Sequence, residues 1–320
     1  MPSTSAAAWP VAAGLAAGVG LDALLGDPRR GHPVAAFGSL AAVAERRVYR
    51  DSRAAGTAYA AALTVLPTLA GVAAMRIAVG AAPRGAVTAL AAWTVLGGSS
   101  LRAEARTVHR LLEVGDLAGA RRRLPHLCGR DPETLDAAGL ARASVESVAE
   151  NTSDAVVGPL LFGALGGVPG LLLYRAVNTL DAMVGHRTPR HLRFGWAAAR
   201  ADDLANLLPA RLTAGLAVAL APLVGGRPAP ALRVWRRDGR RHPSPNAGQV
   251  EAAFAGALGR SLGGRLTYAG RVEDRPVLGS GPVPEPADVL RAVRLSAAVS
   301  AAAALLAVTG RAVLDGRSTA

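Results

Sequence analysis

An uncharged stretch of 20 residues, 56–75, constrains the fold of this chain more than any other feature. About 20 consecutive apolar residues in a helix are enough to cross the hydrocarbon core of a bilayer. Residues 6–26, 207–226 and 292–314 form further apolar runs, with one or two charged residues each. Because 51% of all residues are hydrophobic as well, these runs predict an integral membrane protein and not a soluble enzyme.

The apolar run 155–174 is interrupted at its centre by the sequence Gly166-Gly167-Val168-Pro169-Gly170. Glycine and proline disfavour a continuous helix, so an uninterrupted spanning helix seldom carries such a centre. Irregular backbone at membrane depth is tolerated where other parts of the protein surround it. The run therefore predicts two half-helices or a re-entrant hairpin, and we favour a segment that does not span the membrane.

The predicted fold class is all-α, a polytopic integral membrane protein with about four to six membrane helices and amphipathic helical loops. We expect a single domain over residues 1–320. Within it, 102–150 reads as a polar helical insertion, and the Pro- and Gly-rich stretch 271–288 as a surface excursion. The single cysteine, Cys128, excludes an intramolecular disulfide.

Basic residues give the chain a formal net charge of +13, and all 36 of them are arginine. Such a charge often indicates nucleic-acid binding, but that function expects basic residues interleaved with aromatic ones on a soluble scaffold. Aromatic residues make up only 4% of this chain. The arginines lie between apolar runs, as in cytoplasmic loops and anion sites. The composition thus favours a lipid bilayer, and not a nucleic acid, as the partner.

Carboxylates are unusually dense in the region 142–211. On an α-helix, Glu146, Glu150 and Asp154 lie at positions i, i+4 and i+8 and share one face, with Asn151 beside them. Like charges in such a row repel one another, and only Arg142, one turn earlier, offsets them. The row is therefore either a solvated stripe or a site that holds a cation.

A second cluster of amides and carboxylates follows in the sequence. It consists of Asp202, Asp203 and Asn206 on a helical period, with Arg200 and Arg211 nearby, and it comes after Asn178 and Asp181, which lie one turn apart. Carboxylate oxygens suit Mg²⁺, and arginines suit phosphate or carboxylate groups. No GxxxxGK[ST], GxGxxG, GxSxG or HExxH motif is present, so the P-loop, Rossmann, hydrolase and zinc-protease classes are excluded. The residues alone favour an enzyme and a cation-coupled transporter about equally.

A proline-stiffened loop, His242-Pro243-Ser244-Pro245-Asn246, precedes a predicted helix that begins near Gly248. Two interpretations of its polar side chains are equally favoured. In one, His242 and Asn246 contact a substrate. In the other, they cap the helix that follows.

Several long motifs resemble the CbiB/CobD family, the adenosylcobinamide-phosphate synthases of cobalamin biosynthesis. They are, in order, LLGDPRRGHPVAAFG, ESVAENTSDAVVGPL, YRAVNTLDAMVGHR, FGWAAARADDLANLLPARLTA and WRRDGRRHPSPNAG. The resemblance extends over nearly the whole chain. One departure is Gln249-Val250, where the family pattern has Trp-Pro.

The resemblance implies a multi-pass enzyme of the prokaryotic cytoplasmic membrane. It would join the free carboxylate of adenosylcobyric acid to aminopropanol or its O-phosphate, using ATP and Mg²⁺, and give adenosylcobinamide or its phosphate. ATP would first convert the carboxylate to an acyl phosphate, a step that depends on positioning and charge neutralisation. Its expected partners are these two substrates and the lipid bilayer, with other corrinoid-pathway membrane enzymes as further candidates.

Under this hypothesis each polar residue receives a role. The catalytic candidates are Glu146, Glu150, Asp154 and His242, with Glu150 or His242 as the general base for the amine. The metal candidates are Glu150, Asp154, Asp181, Asp202 and Asp203. The candidates for holding ATP or substrate groups are Arg142, Asn151, Asn178, Arg200, Asn206, Arg211 and Asn246.

Two other functions stay open. A non-catalytic, AmpE-like membrane signalling protein also resembles the family. A cation-coupled transporter predicts inverted repeats, and the sequence contains no convincing repeat. Loop charge does not fix the topology, because all the long loops are rich in arginine.

Overall fold

The computed structural model describes residues 9–28, 31–268 and 271–317, which are predominantly helical. Arg29 and Arg30 of the first motif, and residues 6–8 of the first apolar run, lie outside this part of the chain. The elements in chain order are α1 (Pro10–Leu25), α2 (Pro33–Val48), α3 (Arg53–Ile77), α4 (Ala81–Val95), α5 (Gly98–Glu113), α6 (Leu117–Arg123), α7 (Ala137–Thr152), α8 (Gly158–Val184), α9 (His191–Phe194), α10 (Trp196–Ala205), α11 (Leu207–Ala219), α12 (Pro228–Asp238), α13 (Ala247–Leu258), β1 (Leu262–Tyr268), β2 (Arg271–Leu278) and α14 (Pro286–Arg317).

Three stretches of the described chain are long and apolar enough to cross a membrane: Arg53–Ile77, Ala137–Val184 and Pro286–Gly316. They confirm the predicted all-α membrane fold and contain the predicted runs 56–75 and 292–314. Helices α1 and α11 are apolar but shorter, with 16 and 13 residues. The run 207–226 is thus helical over a shorter length than predicted, because Pro222 and Gly225 lie in the tight turn that follows α11.

Internal contacts divide the chain into two compact units. The first unit comprises residues 1–97, 158–206 and 303–320, and the second comprises 98–157 and 207–302. In the first unit, small residues let α1 and α4 approach closely, since Gly14 contacts Thr88 and Gly18 contacts Ala92. Such small-residue contacts are typical of helices packed within a membrane.

Helix α8 folds back on itself as a hairpin. Gly167 has φ 59° and ψ −144°, a backbone conformation that glycine tolerates and that breaks the helix. The rings of Phe162 and Tyr174 lie 5.1 Å apart, whereas a straight helix would separate these positions by roughly 18 Å. A Cβ at Gly170 would overlap the Phe162 carbonyl. The hairpin predicted for 155–174 is therefore present, with its turn at Gly167.

Other parts of the first unit cover the hairpin turn. Gly71 of α3 contacts Pro169 at the turn. Arg311 of α14 donates a hydrogen bond to the Ala164 carbonyl at 3.4 Å, and Asp315 fixes the arginine through a 2.7 Å bond from its Nε. Helix ends leave backbone carbonyls without a helical donor, and at membrane depth protein groups must supply the missing partners.

The second unit combines the polar helices of the predicted insertion with α11 to α13 and the β-hairpin. Helix α7 ends at Thr152 and continues as a π-helical turn over Ser153–Val157. Strands β1 and β2 are antiparallel, with Leu262 opposite Leu278. Strand β2 accounts for much of the predicted excursion at 271–288.

Candidate functional site

A hydrogen-bonded network in the first unit is centred on Asp202. Its Oδ1 accepts a bond from Asn178 Nδ2 at 3.3 Å, and its Oδ2 accepts one from Asn206 Nδ2 at 3.0 Å. Asn178 lies on the second arm of the α8 hairpin, whereas Asp202 lies on α10 and Asn206 directly follows it. The structure thus joins Asn178, which the sequence paired with Asp181, to Asp202 and Asn206 of the predicted second cluster.

Tyr174 and Arg175 extend this network, and sequence reasoning missed both. The buried Tyr174 hydroxyl donates to Asn206 Oδ1 at 2.6 Å. Arg175 donates to Asn178 Oδ1 at 3.3 Å and to the backbone carbonyl of Val95. Both residues lie one helical turn before Asn178 and so share its face. Polar side chains three and four residues before Asn178, in an otherwise apolar helix, were the sequence signal that could have identified both residues.

Burial raises the pKa of Asp202 above its ordinary value of 3.8, and the neighbouring charge of Asp203 raises it further. The hydrogen bonds from Asn206 and Asn178 favour the ionised form and act in the opposite direction. Asp202 therefore takes up a proton more readily than an exposed aspartate does. A carboxylate with such a pKa is suited to proton transfer.

The remaining predicted residues of the first unit lie around this network. Asp203 accepts a bond from Arg200 Nη1 at 3.1 Å, and the arginine side chain is 61% exposed. Exposed pairs of this kind contribute little to stability, so a charged ligand can replace one partner at small cost. Asp181 is half-buried near the end of α8, where its carboxylate lies against Gly185.

Glu146 forms a buried ion pair in the second unit. Its side chain is almost inaccessible, with the residue 3% exposed. Oε2 accepts a bond from Arg130 Nη2, and Oε1 accepts one from the Gly263 backbone N–H at 2.6 Å. These bonds tie α7 to the loop that precedes it and to β1. Because both oxygens are engaged, the geometry favours a positioning role for this predicted catalytic residue.

Glu251 lies near Glu146, and sequence reasoning missed it. It is 3% exposed and belongs to α13. Burial raises its pKa well above the ordinary 4.5, and the charges of Glu146 and Glu150 raise it further, while Arg275 and Arg130 act against them. The sequence signal was modest: Glu251 is the only charged residue in the segment AGQVEAAFAGAL.

The predicted row of three carboxylates on α7 is interrupted. The π-helical turn after Thr152 lengthens the repeat beyond that of an α-helix. Asp154 lies inside that turn, so regular α-helical spacing relates only Glu146 and Glu150. Glu150 is exposed and Asp154 is half-buried. A π turn cannot be anticipated from i, i+4 counting, which assumes an unbroken α-helix.

Arg142 and Asn151 lie on the flanks of α7. Arg142 Nη2 donates to the Arg265 carbonyl at 3.3 Å, while its buried Nε has no hydrogen-bond partner among the described residues. Asn151 Nδ2 donates to the Ser147 carbonyl at 3.0 Å. Arg142 therefore retains a donor suited to an anionic ligand, whereas the Asn151 amide nitrogen bonds within its own helix.

The loop before α13 holds its polar side chains in place. His242 Nδ1 accepts the Ser244 backbone N–H at 3.0 Å, and its Nε2 lies 3.3 Å from Arg275 Nη1. Asn246 Oδ1 accepts a bond from Arg211 Nη1 at 3.1 Å. The Ser244 hydroxyl accepts the Ala247 N–H at 3.1 Å and so caps α13. Asn246 occupies the N-cap position of α13, but its side chain makes no capping hydrogen bond, and His242 accepts a bond from Ser244 and not from the helix.

No three His, Cys, Asp or Glu side chains converge on a metal position within the described part of the chain. Mg²⁺ usually keeps several waters and binds one or two carboxylates together with substrate phosphates. In the second unit the exposed Glu150 and the half-buried Asp154 supply oxygen donors of this kind, and in the first unit the half-buried Asp202 does so. Among the described residues neither group forms a closed protein cage, and each fits Mg²⁺ only in a shell that water or ligand oxygens complete.

Comparison with known proteins gives a consistent result. The family described as CobD/Cbib protein matches residues 15–296. The cobalamin biosynthesis protein CobD of Mycobacterium tuberculosis is 55% identical over 304 residues, which cover 95% of this chain and 97% of that protein. The proteins of the same name from Geobacter metallireducens and Rhodobacter capsulatus are 47% and 43% identical, over 81% and 89% of this chain and 83% and 92% of their own lengths. The comparison with solved structures gives no match. With matches of this extent and identity, the chain belongs to the CobD/CbiB family.

Proposed function

We propose that this membrane protein acts in cobalamin biosynthesis as an ATP-dependent ligase. It would join the free carboxylate of adenosylcobyric acid to the amine of aminopropanol or its O-phosphate. The observation that carries the proposal is the family match over residues 15–296, with relatives that bear the name cobalamin biosynthesis protein. The polar clusters of both units support it, because they provide the charges that this reaction requires.

The anionic groups of the substrates need cationic partners. Arg142 offers a buried Nε with an unused donor, and Arg211 is already positioned by Asn246. Arginine binds phosphate and carboxylate groups with paired N–H donors. MgATP, when bound, supplies the activation that makes the substrate carboxylate reactive toward an amine. We assign these arginines to holding phosphate or carboxylate oxygens.

The amine must lose a proton before it attacks, and we assign that proton to Glu150. Glu150 is exposed on α7. The alternative base is His242, whose Nδ1 accepts the Ser244 backbone N–H and whose Nε2 lies next to Arg275 Nη1. A guanidinium next to the accepting nitrogen opposes its protonation. Asp202, held by Asn178 and Asn206, would supply a carboxylate oxygen to Mg²⁺.

Turnover by the purified, detergent-solubilised protein tests this function. We expect adenosylcobyric acid, MgATP and either aminopropanol or its phosphate to give a corrinoid product whose mass increases by that of the amine less one water. Omission of ATP or of Mg²⁺ should abolish the product. Comparison of the two amines identifies the preferred one. Folded protein that neither turns over nor binds the corrinoid would instead favour a signalling or transport role.

The first unit also has two ends of unequal charge. The hairpin turn lies near the end of α3, where Gly71 contacts Pro169, and the start of α3 lies at the other end, where Gly56 contacts Phe194. The ring of Tyr49 also contacts Phe194, 5.3 Å away, which places the end of α2 beside the start of α3. The end with Phe194 holds Arg46, Arg47, Arg50, Arg53, Arg187, Arg190 and Arg193, and the end with the hairpin turn holds Arg76, Arg84 and Arg311.

Because arginine-rich ends of membrane helices face the cytoplasm, we expect the end with Phe194 to be cytoplasmic. Single cysteines at exposed positions test this in a Cys128→Ser background. In spheroplasts, a membrane-impermeant maleimide should label Ala82→Cys directly and Ala54→Cys only after permeabilisation. The reverse pattern would show the opposite orientation.

A further inference from the structure

Helix α12 has one packed face and one arginine face. On the packed face, Ala231 contacts Gly256 of α13, and both Ala231 and Asp238 are fully buried. Arg233 and Arg236 are exposed, and their spacing of three residues places them together on the opposite side. The exposed Arg240 lies two residues after the end of the helix. The exposed Arg227 directly precedes the helix.

The charge of this region is strongly unbalanced. Seven arginines and a single acidic residue, Asp238, lie between positions 207 and 250. The Asp238 carboxylate pairs with Arg237 at 2.6 Å and with Arg241 at 3.3 Å. The arginine face, defined as Arg227, Arg233, Arg236 and Arg240, has no ion-pair partner among the residues that the structure describes. The four positive charges of this face are therefore not neutralised by any carboxylate of the described residues.

The start of α12 lies at the end of a membrane-spanning helix. Arg291, in the second turn of α14, donates hydrogen bonds to the Val224 carbonyl at 3.1 and 2.7 Å. Helix α14 has no charged residue from Leu295 to Gly310, so Arg291 precedes the part that can cross the hydrocarbon core. Next to Val224, Leu223 is 62% exposed. An exposed leucine followed by a basic helix is the pattern of a segment that lies in the membrane interface.

We propose that the arginine face of α12 binds the headgroups of anionic phospholipids. Guanidinium groups pair with phosphate oxygens through two parallel N–H donors, and the start of α12 lies next to the end of a spanning helix, where headgroups occur. Each basic residue close to an anionic bilayer strengthens binding about fivefold. This surface acts independently of the proposed ligase chemistry, because none of its residues belongs to the candidate site.

Titration of the full-length protein in a neutral detergent tests this surface. Fluorescent phosphatidylglycerol in the same detergent should bind, and phosphatidylcholine should not. In the triple variant R233Q/R236Q/R240Q, the half-saturating concentration of phosphatidylglycerol should rise roughly tenfold or more. The matched control R106Q/R110Q/R122Q removes three exposed arginines of α5 and α6 and should leave binding unchanged.

Two further measurements separate the alternatives. The variant R233K/R236K/R240K keeps the charges and should retain most of the binding, and all variants should melt at the wild-type temperature. If the control variant weakened phosphatidylglycerol binding equally, the effect would come from the net charge of the protein and not from this surface. That result would overturn the proposal. Competition by soluble glycerol phosphate would indicate a small-anion site, and a change from dimer to monomer would indicate a second copy as the partner; either result would also overturn it.

Discussion

Replacement of Asp202 by asparagine is expected to reduce turnover by about 100-fold or more while the protein remains folded. The substitution preserves the size of the side chain but removes its charge. It also brings an amide N–H₂ group to face the N–H donors of Asn178 and Asn206, which in the wild-type protein bond to the two carboxylate oxygens. The network would then lose an acceptor and could not hold the same geometry.

The expected result is measured as the initial rate of corrinoid product formation at saturating MgATP, with the melting temperature as the check on folding. Asp51→Asn is the matched control, since Asp51 forms an exposed pair with Arg193 at 3.7 Å in the same unit. It should keep wild-type activity. Glu150→Gln removes the assigned base, so its initial rate should also fall by about 100-fold or more. Wild-type rates in both variants would show that these clusters are not the active site.

The largest expected loss of stability comes from Glu146→Gln. The change takes the Glu146 carboxylate away from the buried guanidinium of Arg130, whose side chain is only 5% exposed. Removal of one partner from a buried ion pair costs about 3–5 kcal/mol, because the other charge stays out of water and loses that stabilisation. For a chain of 320 residues, that cost lowers the melting temperature by roughly 4–7 °C.

A second substitution tests whether the charge of Arg130 causes the loss of stability in Glu146→Gln. In the double variant Arg130→Met with Glu146→Gln, neither member of this ion pair carries a charge, and the introduced amide oxygen can still accept the Gly263 N–H. We expect this variant to recover most of the lost stability. The readout is thermal unfolding in detergent, followed by intrinsic fluorescence. A double variant as unstable as the single one would show that the arginine is not the source of the loss.

The helices were predictable because their signals are local. Residues 56–75 carry no charge, and Gly166 to Gly170 interrupt the following run, so the sequence indicated both the span and the hairpin. Asn178, Asp202 and Asn206 were singled out for their polarity in apolar surroundings, and they do meet. Arg130 and Glu251 escaped notice because their importance depends on burial beside Glu146, which helical spacing does not report.

Other differences arise where a local rule was applied across an irregularity. The alignment of Asp154 with Glu146 assumed an α-helix through a segment that forms a π turn. The capping role left open for His242 and Asn246 belongs to Ser244, because the prolines on either side of Ser244 set where α13 begins. The position of a helix start thus depends on loop geometry that composition does not specify.

The hairpin of α8 implies an order of events during synthesis on the ribosome. Its turn has backbone groups that cannot remain exposed to lipid, and the surfaces that cover it include Gly71 of α3, which is made earlier. The receiving groove can thus be in the membrane before the hairpin is translated. The Ala164 carbonyl, however, accepts a hydrogen bond from Arg311, which is translated 147 residues later. The first unit is therefore complete only when the last helix has been inserted, so a chain truncated before Arg311 would leave the hairpin unfinished.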